Sequence, residues 1–189
     1  MNVNEFVNNL KELKYTNNEL IIFKELGFEE NLIKREVNNF IFKEKEDYNP
    51  IMELPYDIVN IGKKYEDIEA KSYFDIYFLE EILTDDTYYC FADYDSDLIA
   101  INSLTHGITL LRQDGTKMYD YDCVAANESC FLDAFYYYIK FYRETEFTDY
   151  KKDAILSKKY KYKSEKITEL AGGEKYKDFW DFIINSKDN

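Results

Sequence analysis

The stretch that decides the fold is Thr87–Arg143, TYYCFADYDSDLIAINSLTHGITLLRQDGTKMYDYDCVAANESCFLDAFYYYIKFYR. It opens with two runs of aromatic and β-branched residues, Tyr88–Asp93 and Asp97–Asn102, and these are the residue types that strands prefer. A third run, Ile108–Gln113, ends at Asp114-Gly115, a dipeptide typical of tight hairpin turns. The stretch therefore predicts short strands and a β-hairpin.

A helix is predicted directly after these strands. The segment Asn127-Glu128-Ser129 can cap its start, and the residues that follow place apolar side chains at spacings of three and four. Those side chains belong to Phe131, Leu132, Phe135, Tyr138, Ile139 and Tyr142. A single apolar face of this kind predicts a helix that packs on the sheet.

Helices are also predicted in the N-terminal part, which we assign to residues 1–45. Asn2 and Glu5 have the spacing of a capping pair before the first helix. The apolar face of that helix comprises Val3, Phe6, Val7, Leu10 and Leu13. A second helix is expected over 16–27, where a glycine follows the last apolar residue, and the apolar residues of 32–41 can continue a third.

The segments on either side of the deciding stretch are assigned from their apolar spacing. Residues 57–62, DIVNIG, predict a strand, and residues 72–78 fit a strand better than a short helix. Near the other end of the chain, Ser164 is expected to open a short helix that Gly172 ends. A last helix is expected over 174–184 and contains the only tryptophan.

Composition supports one folded domain. The chain has 189 residues, of which 46% are apolar, and this is enough for a real hydrophobic core. It has two prolines and no Ser/Gly-rich linker between blocks. We therefore expect a single α+β domain over 1–189, with a central, mostly antiparallel sheet flanked by N- and C-terminal helices.

The sequence also predicts a compartment. No run of about eighteen apolar residues occurs, and the first residues, MNVNE, are acidic, so neither a membrane span nor a signal peptide is expected. Cys90, Cys123 and Cys130 form no C-x-x-C pair, so neither a disulfide framework nor a zinc site is indicated. We expect a cytoplasmic protein with reduced thiols.

Few residues could carry catalysis or bind a metal. His106 is the only histidine and lies in a predicted turn, so any catalytic unit built on histidine would have to use it. The DYDSD sequence at 93–97 begins like a calcium loop, but Leu98 and Leu104 occupy the positions of the required glycine and bidentate acid. No P-loop, dinucleotide-binding motif or nucleophile elbow is present. We therefore expect no enzyme, no metal and no cofactor.

Two parts of the chain resemble a known family. The hairpin FADYDSDLIAINSLTHGITLL and the helix start VAANESCFLDAFYYYI resemble the end of an SMI1/KNR4 (SUKH) superfamily domain. The segment LAGGEKYKDFW at 170–180 is similar to the tail of some bacterial members. The first half of the chain lacks the glycine-rich loop and the early tryptophan that are common in the family. The resemblance implies a SUKH-type fold.

Charge is the strongest indication of the kind of partner. The chain carries a net charge of -14, and residues 66–97 contain eleven acids and one lysine. Residues 151–166 have the opposite bias, with seven lysines and two acids. So acidic a chain repels nucleic acids and anionic membranes and attracts basic proteins. The alternative is that the acids only keep a tyrosine-rich surface soluble.

A partner-binding site is predicted where acids and tyrosines occur together. The chain has nineteen tyrosines, more than a core of this size can bury, and tyrosine is a preferred anchor at protein interfaces. We predict steering by the acids of the β-strand region and anchoring by two tyrosines beside them. The predicted site residues are Glu80, Glu81, Asp85, Asp86, Tyr88, Asp93, Tyr94, Asp95 and Asp97.

Acidity, abundant tyrosine and the lack of catalytic motifs together predict a non-catalytic protein-binding module. The resemblance implies a bacterial immunity protein that neutralises a toxin, for example a nuclease, by binding its basic domain. The alternative is a regulatory or scaffold protein of the SMI1/KNR4 type that binds a cellular protein. Neither function involves nucleic acid or a membrane as the direct partner.

Overall fold

The computed structural model describes residues 1–13, 20–21, 24–25, 27, 43–46, 48, 55–66, 76–84, 86–114, 117–145 and 154–186. The helices are α1 Val3–Glu12, α2 Ile61–Lys64, α3 Glu128–Thr145, α4 Ala154–Ala171 and α5 Lys177–Ser186. The strands are β1 Lys43–Glu44, β2 Tyr65–Glu66, β3 Ile76–Thr84, β4 Tyr88–Tyr94, β5 Asp97–Asn102, β6 Ile108–Asp114 and β7 Lys117–Ala125. The chain is therefore α+β, as the sequence predicts.

The main sheet of the described residues is an antiparallel meander in the order β3-β4-β5-β6-β7. At the β4–β5 turn, Asp95 and Ser96 have φ of +50° and +71°, and Tyr94 pairs with Asp97. Two positive φ angles in a two-residue loop match the twist of the flanking strands, which keeps the hairpin tight. The strands predicted within Thr87–Arg143 and the hairpin that follows β6 are confirmed.

The predicted helix caps at Asn2 and Asn127 are also confirmed. Asn2 Oδ1 accepts a hydrogen bond from Glu5 N at 2.9 Å, and Glu5 Oε2 accepts one from Asn2 N at 2.9 Å. At the start of α3, Asn127 Oδ1 accepts a hydrogen bond from Cys130 N at 3.0 Å. These bonds satisfy amide groups that the first turn of a helix leaves without a partner.

The rest of the N-terminal part is described at only some positions. Residues 20–21 and 24–25 are helical and Gly27 has φ of +84°, so the second helix is confirmed at these residues. The third helix, predicted over 32–41, lies outside the described residues. Lys43–Glu44 pairs with Tyr65–Glu66 as a small antiparallel sheet, which adds a strand to the part predicted to be helical.

The core lies between one face of the sheet and the helices α1 and α3. The ring centroid of Phe6 is 6.4 Å from that of Phe78 and 5.9 Å from that of Phe135, and Phe91 lies 5.5 Å from Phe131. All of these rings except that of Phe78 are buried. Interlocking aromatic rings at these separations therefore hold α1 and α3 on the sheet.

The strand predicted over 57–62 is wrong. Residues Asp57–Asn60 form a 3₁₀ turn that continues into α2, and the successive residues Ile58 and Val59 are both buried, as a turn allows and an alternating strand does not. A Cβ atom at Gly62 would lie 2.2 Å from the carbonyl oxygen of Leu79. Only glycine therefore lets α2 approach the backbone of β3 this closely.

The C-terminal helices are confirmed, but the predicted start of α4 is wrong. This helix begins at Ala154, well before Ser164, and it includes the lysine-rich residues 158–163. Lys163 is buried and its Nζ lies 5.6 Å from the ring centroid of Phe141, so its aliphatic stem packs against α3. Gly172, with φ of +119°, ends the helix where predicted.

Trp180 connects α5 to the sheet. Its side chain is fully buried, its Nε1 donates a hydrogen bond to the carbonyl oxygen of Val124 at 2.9 Å, and its ring centroid lies 6.2 Å from that of Phe131. This contact places the C-terminal helix within the same hydrophobic cluster as α1.

We predict that Trp180→Ala lowers the free energy of unfolding by about 3–5 kcal/mol, the usual cost of removing a large buried aromatic side chain. The matched control is Phe182→Ala in the same helix, where the side chain is 60% exposed and the expected loss is less than about 1 kcal/mol. Urea unfolding followed by circular dichroism measures both. Equal losses for the two variants would refute the assigned role of Trp180.

Candidate functional site

The predicted acidic residues lie on one sheet but not in one cluster. Asp86 lies at the β3–β4 connection and Asp95 in the β4–β5 turn, at opposite ends of the seven-residue strand β4. At about 3.3 Å per residue, such a strand separates its ends by about 20 Å. Glu80 and Glu81 lie between them on β3, and Asp85 lies outside the described residues.

Most of these carboxylates form no ion pair with any residue that the structure describes. Among the residues that the structure describes, Glu80 is paired with Lys45, with Nζ and Oε1 3.6 Å apart. Glu81, Asp86 and Asp95 are exposed and Asp93 is half-buried. Within the described ranges no ion pair is formed by these last four residues, which we call the four unpaired carboxylates. Their charge is available to act on an approaching molecule.

Asp97 differs from the other acids because it is held in an ion pair. Arg112 Nη2 donates to Asp97 Oδ2 at 2.8 Å and Arg112 Nε donates to the same carboxylate at 3.2 Å, and the Asp97 side chain is only 16% exposed. The guanidinium carbon lies 3.6 Å from the ring centroid of Tyr121. Asp97 therefore positions Arg112, whereas the sequence suggests an exposed steering charge.

The two tyrosines of the predicted site occupy different environments. Tyr94 is only 4% exposed, and its ring lies 5.8 Å from that of Phe179 and 6.3 Å from that of Phe182. Its predicted position as a surface anchor is therefore corrected to a core position. Tyr88 is half-buried and packs beside Cys90 in a small cluster on the other face of the sheet.

Sequence reasoning missed a group of exposed side chains on β7. Met118, Tyr119 and Tyr121 are 37%, 45% and 54% exposed, and Asp120 between them is exposed too. The sequence MYDYD contains a signal, since aromatic and acidic residues alternate there as in a strand with a solvated face. This strand pairs with β6 as the second strand of the predicted hairpin.

A second feature not predicted is a cleft of about 360 Å³, which we call the His106 cleft. His106 has φ of +61°, and its Nδ1 lies 2.5 Å from the hydroxyl oxygen of Tyr56. The cleft is lined by Met1, Asn2, Tyr56, Asp57, His106, Asn127, Glu128 and Ser129. The histidine that the sequence places in a solvated turn thus shares a hydrogen bond with a residue 50 positions away.

Glu128 fixes one wall of this cleft. Its Oε1 accepts a hydrogen bond from Ile58 N at 2.7 Å, which ties the 3₁₀ turn to the first residue of α3. Burial raises the pKa of the Glu128 carboxyl, and the hydrogen bond from Ile58 opposes that effect only in part. The group can therefore hold a proton at a higher pH than an exposed glutamate.

No three His, Cys, Asp or Glu side chains of the described residues converge in a way that could hold a metal ion. The helices in the described part of the chain lack the combination of length and apolar character needed to cross a membrane. Comparison of the chain with family models, curated proteins and solved structures finds no match.

We predict that Asp97→Asn lowers the urea midpoint of unfolding, because it removes a charge-assisted pair of hydrogen bonds and leaves Arg112 without its anion. Asp95→Asn is the control. It removes the same charge at the adjacent turn, where φ of +50° suits asparagine, so it should leave the midpoint unchanged or raise it slightly. Identical shifts for both variants would contradict the structural role of Asp97.

A pH-dependent prediction concerns Glu128. Because burial raises its folded-state pKa above the value of about 4.3 in an unfolded chain, its contribution to stability is complete below about pH 4 and is lost as pH rises through the folded-state pKa. Glu128→Gln removes this ionisation and retains an acceptor for Ile58 N. The variant should therefore gain stability relative to the parent protein between about pH 4 and 7.

Thermal unfolding at a series of pH values measures this difference. The matched control is Glu165→Gln, because Glu165 is exposed on α4. The stability of this variant relative to the parent protein should change little over the same pH range. If the stability of Glu128→Gln relative to the parent protein instead falls as pH rises, the predicted direction of the effect is wrong.

Proposed function

We propose that this chain is a non-catalytic protein-binding module whose partner is a basic protein domain. The observation that carries the proposal is the four unpaired carboxylates, Glu81, Asp86, Asp93 and Asp95, on the β3–β5 meander of a chain with net charge -14. Uncompensated charge at a surface attracts molecules of opposite charge and raises their rate of association. It also disfavours nucleic acid, whose backbone is negative.

The contacts of the His106 cleft give both of its titratable groups a structural role. His106 Nδ1 is engaged by the Tyr56 hydroxyl, and the Glu128 carboxylate holds the amide of Ile58. Both titratable groups thus have partners that fix the loops around the start of α3.

The resemblance of the hairpin, the following helix and the tail to the SMI1/KNR4 (SUKH) superfamily supports a more specific proposal. The chain is a cytoplasmic immunity protein that binds a bacterial toxin domain and blocks it. A nuclease toxin suits this surface, because the groove that binds a nucleic acid backbone is basic and complements exposed carboxylates. An acidic protein seated on that groove would exclude the substrate.

Growth rescue in a heterologous bacterial host tests this function. Each reading frame that flanks the gene is expressed alone and together with this chain. We expect one neighbouring product to arrest growth, co-expression to restore it, and the two proteins to purify as a complex. If no flanking product affects growth and the chain instead forms a complex with an unrelated cellular protein, the immunity function is refuted. The result would then support a regulatory or scaffold protein.

The role of charge is tested with the partner so identified. Replacing the four unpaired carboxylates by Gln or Asn should slow association by about tenfold or more at low salt and flatten its salt dependence, with little change in dissociation. The charge-matched control replaces four exposed acids elsewhere, namely Glu12, Glu25, Glu46 and Glu165. Equal association rates for both variants, measured by stopped flow, would mean that net charge alone acts and that the meander is not the binding surface.

A further inference from the structure

The two edges of the main sheet differ in how they are covered. At β3, α2 packs so closely that a Cβ atom at Gly62 would meet the carbonyl oxygen of Leu79. A helix over an edge prevents further strands from pairing there. At β7, the last residues are covered by α5, whose Trp180 bonds to the carbonyl oxygen of Val124. In the first half of β7, by contrast, the side chains of Met118, Tyr119 and Asp120 are exposed.

The open half of β7 is regular over four residues. Lys117, Met118, Tyr119 and Asp120 pair in sequence with β6, and the register then shifts by one residue at Tyr121. No described residue outside β6 forms a backbone hydrogen bond with 117–121. An edge of this kind presents backbone amide and carbonyl groups to any extended chain that approaches it, over about 13 Å.

The side chains along this edge are those that anchor protein interfaces. Tyrosine, methionine and arginine are enriched at interface centres, and here they are Met118, Tyr119, Tyr121 and Arg112. Arg112 is held in place by Asp97 and by the ring of Tyr121. A partner therefore meets side chains that are already ordered, which lowers the entropy lost on binding.

Charge selects the occupant of this edge. Asp120 is exposed on β7, and Asp122 follows it on the same strand. The whole chain carries a net charge of -14. A second copy would bring together two chains that each carry a net charge of -14, whereas an extended segment rich in lysine or arginine would neutralise part of that charge.

We propose that the open half of β7 binds an extended basic segment of the partner protein by strand addition, and this inference rests on the proposed function. Backbone hydrogen bonds to 117–120 supply affinity, and Tyr119 and Tyr121 contact alternate side chains of the added strand. The register shift at Tyr121 limits the added strand to about four paired residues.

A synthetic peptide of alternating lysine and valine, blocked at both ends, is the probe, and nitrogen-15 NMR of the full chain is the readout. We expect the peptide to shift the amide signals of 117–120 and to slow their hydrogen exchange. The control peptide carries the same side chains but N-methyl groups on alternate amides, so it keeps the charge and cannot pair as a strand. It should leave the exchange rates of 117–120 unchanged.

Variants of the chain separate the anchors from the charge. Replacing Tyr119 and Tyr121 together by Ala should weaken peptide binding by about tenfold or more, whereas Tyr162→Ala, at a tyrosine 64% exposed on α4, should not. Correct folding of each variant is checked by its NMR spectrum. The Tyr162 variant serves as the control because it removes an exposed tyrosine ring from a different element.

Three results would overturn strand addition at β7. They are equal effects of the two peptides at 117–120, peptide shifts confined to the four unpaired carboxylates, and no shift at millimolar peptide. None of these touches the proposed function, which depends on growth rescue and on association kinetics with the partner. Loss of rescue with intact peptide binding at β7 would conversely leave the edge site standing and refute the immunity function.

Discussion

The position of Phe131 is the constraint on which the arrangement of sheet and helices depends. Its ring lies 5.5 Å from Phe91 of β4, 5.6 Å from Phe135 of α3 and 6.2 Å from Trp180 of α5. The Phe91 pair is edge-to-face at 79°, a geometry that contributes beyond area burial. Because this ring of α3 contacts both β4 and α5, which are distant in sequence, the C-terminal helix cannot move without opening the core. The sheet edge beside that helix is therefore held in place as well.

Where the conformation is set by neighbours in sequence, the sequence was sufficient to predict it. The strands β4 and β5, the cap at Asn127 and the glycine end of α4 all follow from residue types within a few positions of each other. The prediction of a strand over 57–62 failed for the opposite reason. Gly62 contacts the backbone of β3, and a contact between residues distant in sequence leaves no local sequence pattern. The predicted start of α4 was wrong because the aliphatic stem of Lys163 packs on Phe141, and charge alone does not predict this contact.

The same distinction between local and tertiary causes applies to the candidate site. Composition located the acids, since charge density can be counted from the sequence. It could not distinguish Asp95, exposed in a turn, from Asp97, two residues later and bonded to Arg112 on a different strand. It also placed Tyr94 at the surface, although the ring packs against α5, which begins 83 residues further along the chain and docks through tertiary contacts. Exposed tyrosines on β7 were missed because edge position is a property of the whole sheet.

The topology relates the acids to the open edge. In a meander, the β4–β5 turn and the β6–β7 turn lie at the same end of the sheet, so Asp95 is at the end where β7 begins. Asp86 is at the opposite end, about 20 Å away along β4. The Debye length at physiological salt is about 8 Å, so the two charges act on an approaching partner almost independently. A partner that docks on β7 is therefore steered by Asp95 and its neighbours, whereas Asp86 belongs electrostatically to the end of the sheet that carries the His106 cleft.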